Sequence, residues 1–177
     1  MCGAPIGDSG PPMSPQEGAT RSPQRAAAHV AYELGMLRVT LQYSIQHDAL
    51  DIVALEAFLL HTRNLLEFFY DGSSTGAILP KDFGAPRARD KSATSADLRD
   101  EISQLVSHLT WDRVVKHELR TQDWSNGRLQ RIHDDIKVKA AAFFAAIPQD
   151  SVEWFSSPAF PHEYRYWTDN PLREPAT

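Results

Sequence analysis

Cysteine is almost absent from this 177-residue sequence, where Cys2 is the only one. A single cysteine excludes a disulfide within the chain and any zinc site built from several cysteines. Long uninterrupted apolar runs are missing too, and no apolar segment follows a basic amino terminus. The sequence therefore predicts no membrane span and no secretory signal peptide, and we expect a protein of the cytoplasm that does not bind membranes.

An excess of positive charge is also lacking, because the formal net charge is −5. This balance disfavours retention on nucleic acid by bulk charge, although a local basic patch remains compatible with it. The sequence contains neither a Gly-rich phosphate-binding loop nor a nucleophile-elbow motif. We therefore predict no cofactor, and nucleophilic catalysis has no candidate residue.

Proline is rare in the interior of the chain. Of twelve prolines, all but Pro80 and Pro86 lie within the first 23 residues or after residue 147. Proline removes a backbone donor and clashes with the preceding turn, so it is confined to the ends of helices and to loops. The long proline-free intervals are therefore where helices can form.

Apolar residues recur at helical spacing in these intervals. Ser22 and Pro23 form a helix start, and the pattern after them predicts a first helix over about 23–47. After a short connection at Asp48, residues 49–71 are apolar around most of their circumference, which predicts a central helix inside the protein. A connection this short predicts that the two helices are antiparallel neighbours.

Two further helices complete the predicted fold, the third over about 94–119 and the fourth ending at Ile147. We predict an all-α protein, an antiparallel four-helix bundle over residues 22–147. The Gly-, Pro- and Ser-rich residues 1–21 are predicted to be a disordered leader. Residues 148–177 are too aromatic for a free tail, and we expect this extension to pack on the bundle rather than to bind a partner.

The central helix carries two kinds of polar residue. Glu56, Arg63 and Glu67 fall on one strip, which is either a solvated edge or a polar seam inside the bundle. His61 falls on the apolar side, where a hydrogen-bonded core histidine is the more common situation than a ligand or a base. On the third helix His108 and Asp112 are four residues apart. This spacing suits a metal site, an oriented base or an ordinary surface pair, and we assign no metal ligand because the repeated Glu-x-x-His pattern of di-iron bundles is missing.

Two segments carry a resemblance to known proteins. LLHTRNLLEFFY, which begins at Leu59, and LVSHLTWDR, which begins at Leu105, are similar to segments of small uncharacterised bacterial helical proteins. The same segments resemble the HEPN superfamily. The resemblance implies an antiparallel helical bundle, often dimeric. It also implies possible RNase activity, since many HEPN members are RNases of toxin–antitoxin and defence systems.

The HEPN active site uses an arginine, commonly a polar residue, then four to six residues and a histidine. Arg63 and Asn64 match the first half of this pattern, and Tyr70 stands where one allowed spacing would place the histidine. A complete match occurs at Arg128 and His133, near the start of the fourth helix. The candidate catalytic residues for an RNase are therefore Arg63 or Arg128 with His133, or with His108 as the alternative histidine.

Our leading hypothesis is a non-enzymatic binding or regulatory module that forms a homodimer and has an RNA or protein partner. A buried polar network would then fix how the two middle helices pair. The predicted members of this network are His61, Arg63, Asn64, His108, Asp112 and Arg113. One alternative is a metal-independent RNase that uses the candidate arginines and histidines. A third hypothesis is a bundle that binds a metal ion or a small molecule at His61 and His108.

Overall fold

The computed structural model describes five stretches of the chain: residues 22–46, 52–70, 76–86, 93–103 and 124–168. Every regular element in these stretches is helical, which confirms the all-α class. The elements are α1 (Pro23–Gln46), α2 (Ile52–Tyr70), a 3₁₀ turn (Pro80–Phe83), α3 (Ala93–Ile102), α4 (Asn126–Ala146), α5 (Gln149–Val152) and α6 (Tyr164–Thr168). None of the described helices combines the length and the hydropathy needed to cross a membrane.

Helix α1 begins where the sequence predicts. The Ser22 hydroxyl accepts a hydrogen bond from the Arg25 backbone N–H at 3.4 Å, and Pro23 occupies the first helical position, where no donor is needed. The helix packs along α2 and also contacts α4. It buries a stripe of small and aliphatic side chains at helical spacing: Ala27, Val30, Ala31, Leu34, Leu37 and Leu41.

Helix α2 covers most of the predicted central helix and contacts α1, α3 and α4. Phe58 and Leu65 are fully buried on it, whereas Val53 and Leu60 are exposed. One side of the helix therefore faces solvent, although its composition is apolar around most of the circumference. The predicted cap at Asp48 lies outside the described residues.

Six phenylalanine rings from four parts of the chain form one aromatic cluster. Ring pairs within it are edge-to-face or tilted, with centroids 5.0–6.3 Å apart. Such pairs contribute about 0.5–1.5 kcal/mol each beyond the area they bury. The cluster joins α2, the 3₁₀ turn, α4 and the segment after α5 through Phe68, Phe69, Phe83, Phe143, Phe144 and Phe155.

Helix α4 begins after Ser125, whose hydroxyl accepts a hydrogen bond from the Arg128 backbone N–H. It ends at Ala146, one residue before the predicted end, because Pro148 cannot continue it. The third helix is described only as far as α3 extends, and the remainder of its predicted range lies outside the described residues.

The aromatic segment after α4 contributes to the core. Phe155 and Trp167 are fully buried, and α6 contacts α4. Phe160 crosses α1 at Gly35: a Cβ atom on Gly35 would lie 2.3 Å from Cγ of the Phe160 ring. A helical glycine costs about 1 kcal/mol relative to alanine, and here it makes room for an aromatic ring of the carboxy-terminal segment rather than for a neighbouring helix.

We expect Gly35→Ala to destabilise the protein, although the same change in an open helix would stabilise it by about 1 kcal/mol. The added methyl group overlaps the Phe160 ring, and overpacking of this kind typically costs about 1–3 kcal/mol. Urea denaturation of the full chain measures the change. In a Phe160→Ala background the ring is gone, so Gly35→Ala should become stabilising. A penalty that persists in that background would contradict the steric explanation.

Candidate functional site

Glu33 on α1 joins two of the predicted network residues on α2. Its Oε2 atom lies 2.7 Å from Nδ1 of His61 and accepts a hydrogen bond from Nδ2 of Asn64 at 3.0 Å. An ionised carboxylate only accepts hydrogen bonds, so Nδ1 of His61 carries the proton in this pair. We call Glu33, His61 and Asn64 the His61 cluster. It connects α1 to α2 through a charge-assisted contact.

His61 is buried at 6% exposure, and its ring makes a T-shaped contact with that of Tyr32, with centroids 5.8 Å apart. A carboxylate and an aromatic ring therefore hold the imidazole on two sides, as expected for a hydrogen-bonded core histidine. On the other side of α2 the strip of Glu56, Arg63 and Glu67 is half-buried, and none of the three lacks an interaction partner. Arg63 is thus half-buried, which matches neither the predicted solvated edge nor the predicted polar seam inside the bundle.

A second polar cluster connects α1 to the carboxy-terminal segment. Arg38 binds Glu163 with two hydrogen bonds, from Nε at 2.9 Å and from Nη2 at 3.0 Å. Nε1 of the fully buried Trp167 donates to the same carboxylate at 3.1 Å. The hydrogen bond to Glu163 raises the pKa of Arg38, against the opposing effect of burial. The bidentate pair fixes the orientation as well as the distance of the two elements.

His133 on α4 lies in a chain of hydrogen bonds beside this pair. Its Nδ1 is 3.0 Å from Oδ1 of Asp134, and its Nε2 is 3.2 Å from the hydroxyl oxygen of Tyr166. Because the ionised Asp134 can only accept, Nδ1 carries the proton and Nε2 accepts from the Tyr166 O–H. We call Arg38, His133, Glu163, Tyr166 and Trp167 the carboxy-terminal cluster.

Burial governs the titration of this cluster. It lowers the pKa of His133, and the hydrogen bond to Asp134 opposes the shift only in part. Burial likewise raises the pKa of Tyr166, although the nearby Arg38 acts in the opposite direction. The guanidinium of Arg38 and the ammonium of Lys137 lie over the Tyr166 ring at 5.1 and 4.2 Å from its centroid. At neutral pH the imidazole of His133 and the phenol of Tyr166 are therefore both neutral.

Arg128, the arginine of the complete HEPN-type pattern, is engaged elsewhere. Its Nη2 atom donates to Oε2 of Glu101 on α3 at 2.7 Å, and its guanidinium lies 4.0 Å from the centroid of the Trp124 ring. The structure places Arg128 in a contact between α3 and α4. The matching residue of the pattern, His133, belongs to the carboxy-terminal cluster and bonds to different partners.

The structure separates the predicted site residues. His61 and Asn64 are brought together by Glu33, whereas Arg63 lies in the half-buried strip on the other side of α2. His133 and Arg128 occupy separate polar contacts. The remaining predicted members, His108, Asp112 and Arg113, lie outside the described residues. Among the residues that are described, no group of three or more His, Cys, Asp or Glu side chains is placed to hold a metal ion.

Sequence reasoning missed the acidic partners of both clusters. Glu33 and His61 lie at nearly equal distances along the chain from Asp48, and in an antiparallel helix pair this symmetry would have placed them opposite each other. Glu163 precedes Trp167 by four residues, which is one helical turn, and this spacing was a usable signal for their hydrogen bond. The pairing of Arg38 with Glu163 had no local signal, because 125 positions separate them.

We expect stability to fall on acidification from about pH 8 to about pH 5.5, in part through His133. Because burial lowers its folded pKa below the ordinary 6.5, the unfolded chain takes up the proton first. The stabilising contribution is therefore complete above the ordinary pKa and declines as the pH falls towards the folded value. Unfolding midpoints across this range should depend less on pH in His133→Gln than in the exposed control His29→Gln. Equal slopes in the two variants would contradict the assignment.

The polar side chains of the two clusters are hydrogen-bonded mainly to other groups of the protein. The Nε2 lone pair of His133 could accept a proton from a substrate only after the Tyr166 hydroxyl moves away, since that hydroxyl occupies it. The carboxylates of Glu33 and Glu163 are held by donors from neighbouring elements.

Comparison of the chain with protein-family models, with curated proteins and with solved structures finds no match.

Proposed function

We propose that this protein is a non-enzymatic binding or regulatory module, an antiparallel four-helix bundle of the HEPN type that acts as a homodimer in the bacterial cytoplasm. One observation supports the proposal most directly. The arginine and histidine that an RNase of this type would use are bound to other groups, Arg128 to Glu101 and Trp124, and His133 to Asp134 and Tyr166.

These contacts argue against RNase activity because a catalytic arginine and histidine must act together on one substrate. An arginine stabilises charge that develops in the transition state, and a histidine transfers a proton within hydrogen-bonding distance of it. Here the guanidinium of Arg128 is neutralised by a carboxylate and covered by an indole ring. Both clusters instead tie helices together, as polar networks do in proteins with a structural or binding role.

Metal-independent RNA cleavage is the second candidate function. The pKa of His133 is lowered by burial, so its imidazole is unprotonated at neutral pH, as a general base must be. Lys137 lies near the same cluster and could bind a phosphate, since it contacts the face of Tyr166 rather than a carboxylate. This candidate requires displacement of the Tyr166 hydroxyl from Nε2 of His133.

Incubation of the purified full chain with RNA, with and without EDTA, tests the two candidates. We expect no cleavage in either condition, while helical content remains intact. His133→Ala and His108→Ala serve as test variants, and His29→Ala, on the exposed side of α1, is the matched control. Cleavage that survives EDTA and disappears in one test variant but not in the control would overturn the proposal in favour of the RNase. Cleavage only with added metal would favour a metal-binding bundle.

A further inference from the structure

The part of helix α1 that follows Val30 carries few charged residues. Charged residues make up 23% of the chain, yet between residues 30 and 46 only Glu33 and Arg38 are charged. Both have partners within the protein, Glu33 with His61 and Arg38 with Glu163. Over these residues each charged side chain of α1 is therefore paired within the protein, although both remain partly exposed.

Apolar side chains are lined up on this face. Tyr32, Met36, Val39 and Tyr43 are spaced by four, three and four residues, so they form one stripe along the helix. Tyr32, Val39 and Tyr43 are about two-fifths exposed, at 39%, 39% and 41%, and Met36 is half-buried. We call these four residues the α1 stripe. On the neighbouring α2, Val53 and Leu60 are exposed as well.

The order of side chains in the α1 stripe is symmetric about its midpoint. Tyr32 and Tyr43 lie at equal distances from the point between Leu37 and Arg38, and so do Met36 and Val39. If two copies of α1 pack antiparallel about a two-fold axis through that point, each tyrosine meets a tyrosine and each Met36 meets a Val39. A two-fold interface must be complementary to itself, and this stripe is.

The absence of charged residues from the α1 stripe also favours a two-fold contact. A two-fold axis brings a surface against its own copy, so a charged residue near the axis would meet a like charge. The α1 stripe has none, which removes this repulsion. Tyr32 is also held in place, since its ring meets His61 at 5.8 Å and Phe160 at 6.0 Å. A tyrosine that is already positioned loses little conformational entropy on binding.

We infer that the α1 stripe is the contact surface between two copies of this chain, packed antiparallel about a two-fold axis. This inference rests on the homodimer of the proposed function and names its interface. The stripe is only about 16 Å long, since each helical residue adds 1.5 Å. A stripe of this length buries less than the roughly 800 Å² per partner of a standard-size interface. The dimer is therefore expected to dissociate on dilution.

Sedimentation equilibrium of the full chain over about a hundredfold range of concentration tests the inference. The wild type should pass from monomer to dimer. Val39→Glu should raise the dissociation constant about tenfold or more, because the dimer would bury an unpaired carboxylate. Val138→Glu places the same charge at an exposed valine of α4 and should leave the dissociation constant unchanged. Circular dichroism of each variant verifies that the helices are intact.

A mixing experiment tests the antiparallel register. Met36→Lys and Val39→Glu should each weaken self-association, whereas a mixture of the two variants should form a heterodimer detectable by native mass spectrometry. In the antiparallel arrangement the introduced lysine of one chain faces the introduced glutamate of the other, and in a parallel arrangement it does not. A mixture that associates no more tightly than the single variants would overturn this register.

Different results would contradict the homodimer and the assignment of its interface to the α1 stripe. A wild type that stays monomeric at every concentration would overturn the homodimer itself, and with it this interface. A wild-type dimer that survives Val39→Glu but is lost in Val138→Glu would overturn only the α1 stripe and would place the contact on α4.

Discussion

Replacing Trp167 by alanine is expected to lower the free energy of unfolding by about 3–5 kcal/mol. The side chain is fully buried, and its ring lies 5.3 Å from that of His133 and 5.1 Å from that of Tyr166. Truncation leaves a cavity and also removes the Nε1–H donor to Glu163. Urea denaturation followed by circular dichroism of the full chain measures the loss.

The matched control is Val138→Ala on α4. Val138 is 57% exposed, so this change should alter the free energy of unfolding by no more than about 0.5 kcal/mol. Trp167→Phe keeps much of the buried volume but loses the indole N–H, and its cost should lie between the two. A loss below about 1 kcal/mol for Trp167→Ala would mean that the carboxy-terminal segment is not part of the cooperative core.

The second large effect is expected at Glu163, whose carboxylate accepts three hydrogen bonds. Glu163→Gln conserves the shape of the side chain but replaces one acceptor oxygen with an amide that can only donate. One donor of Arg38 then faces another donor. We expect a loss of about 2–3 kcal/mol, less than for a fully buried ion pair because the Arg38 side chain is 30% exposed.

The exposed Glu153→Gln is the control for this substitution, since it makes the same chemical change in the same segment. It should leave the unfolding midpoint within experimental error. Adding Arg38→Met to Glu163→Gln should recover part of the lost stability, because the unpaired guanidinium is then removed. If the double variant were no more stable than Glu163→Gln alone, the loss would not come from a broken ion pair.

Local features of the fold were predictable because local sequence determines them. The first helix was predicted to within one residue of its observed end, since Ser22 and Pro23 mark its start and apolar spacing marks its length. The end of α4 was also predicted to within one residue, because Pro148 cannot continue the helix. The segment after α4 was predicted to be too aromatic for a free tail, and Phe155 and Trp167 in it are buried.

The partners of the polar residues were much less predictable. His61 was correctly placed on the apolar side of its helix, but hydropathy does not say which residue of another helix will meet it, and Glu33 was missed. The position of Phe160 against Gly35 and the pairing of Arg38 with Glu163 depend on how the chain returns to α1. Such contacts arise from tertiary packing, which periodicity along the sequence does not encode.

The distance along the chain between Arg38 and Glu163 also has a consequence during synthesis. A ribosome that adds about 5–20 residues per second needs roughly 6–25 s to make the 125 residues from Val39 to Glu163. Throughout that interval α1 has been synthesised, but the aromatic ring that covers Gly35 and the carboxylate that pairs with Arg38 have not. Nascent chains therefore pass through a stage in which this helix is open to chaperones and to other nascent chains, and a product truncated before Phe160 would remain in that state.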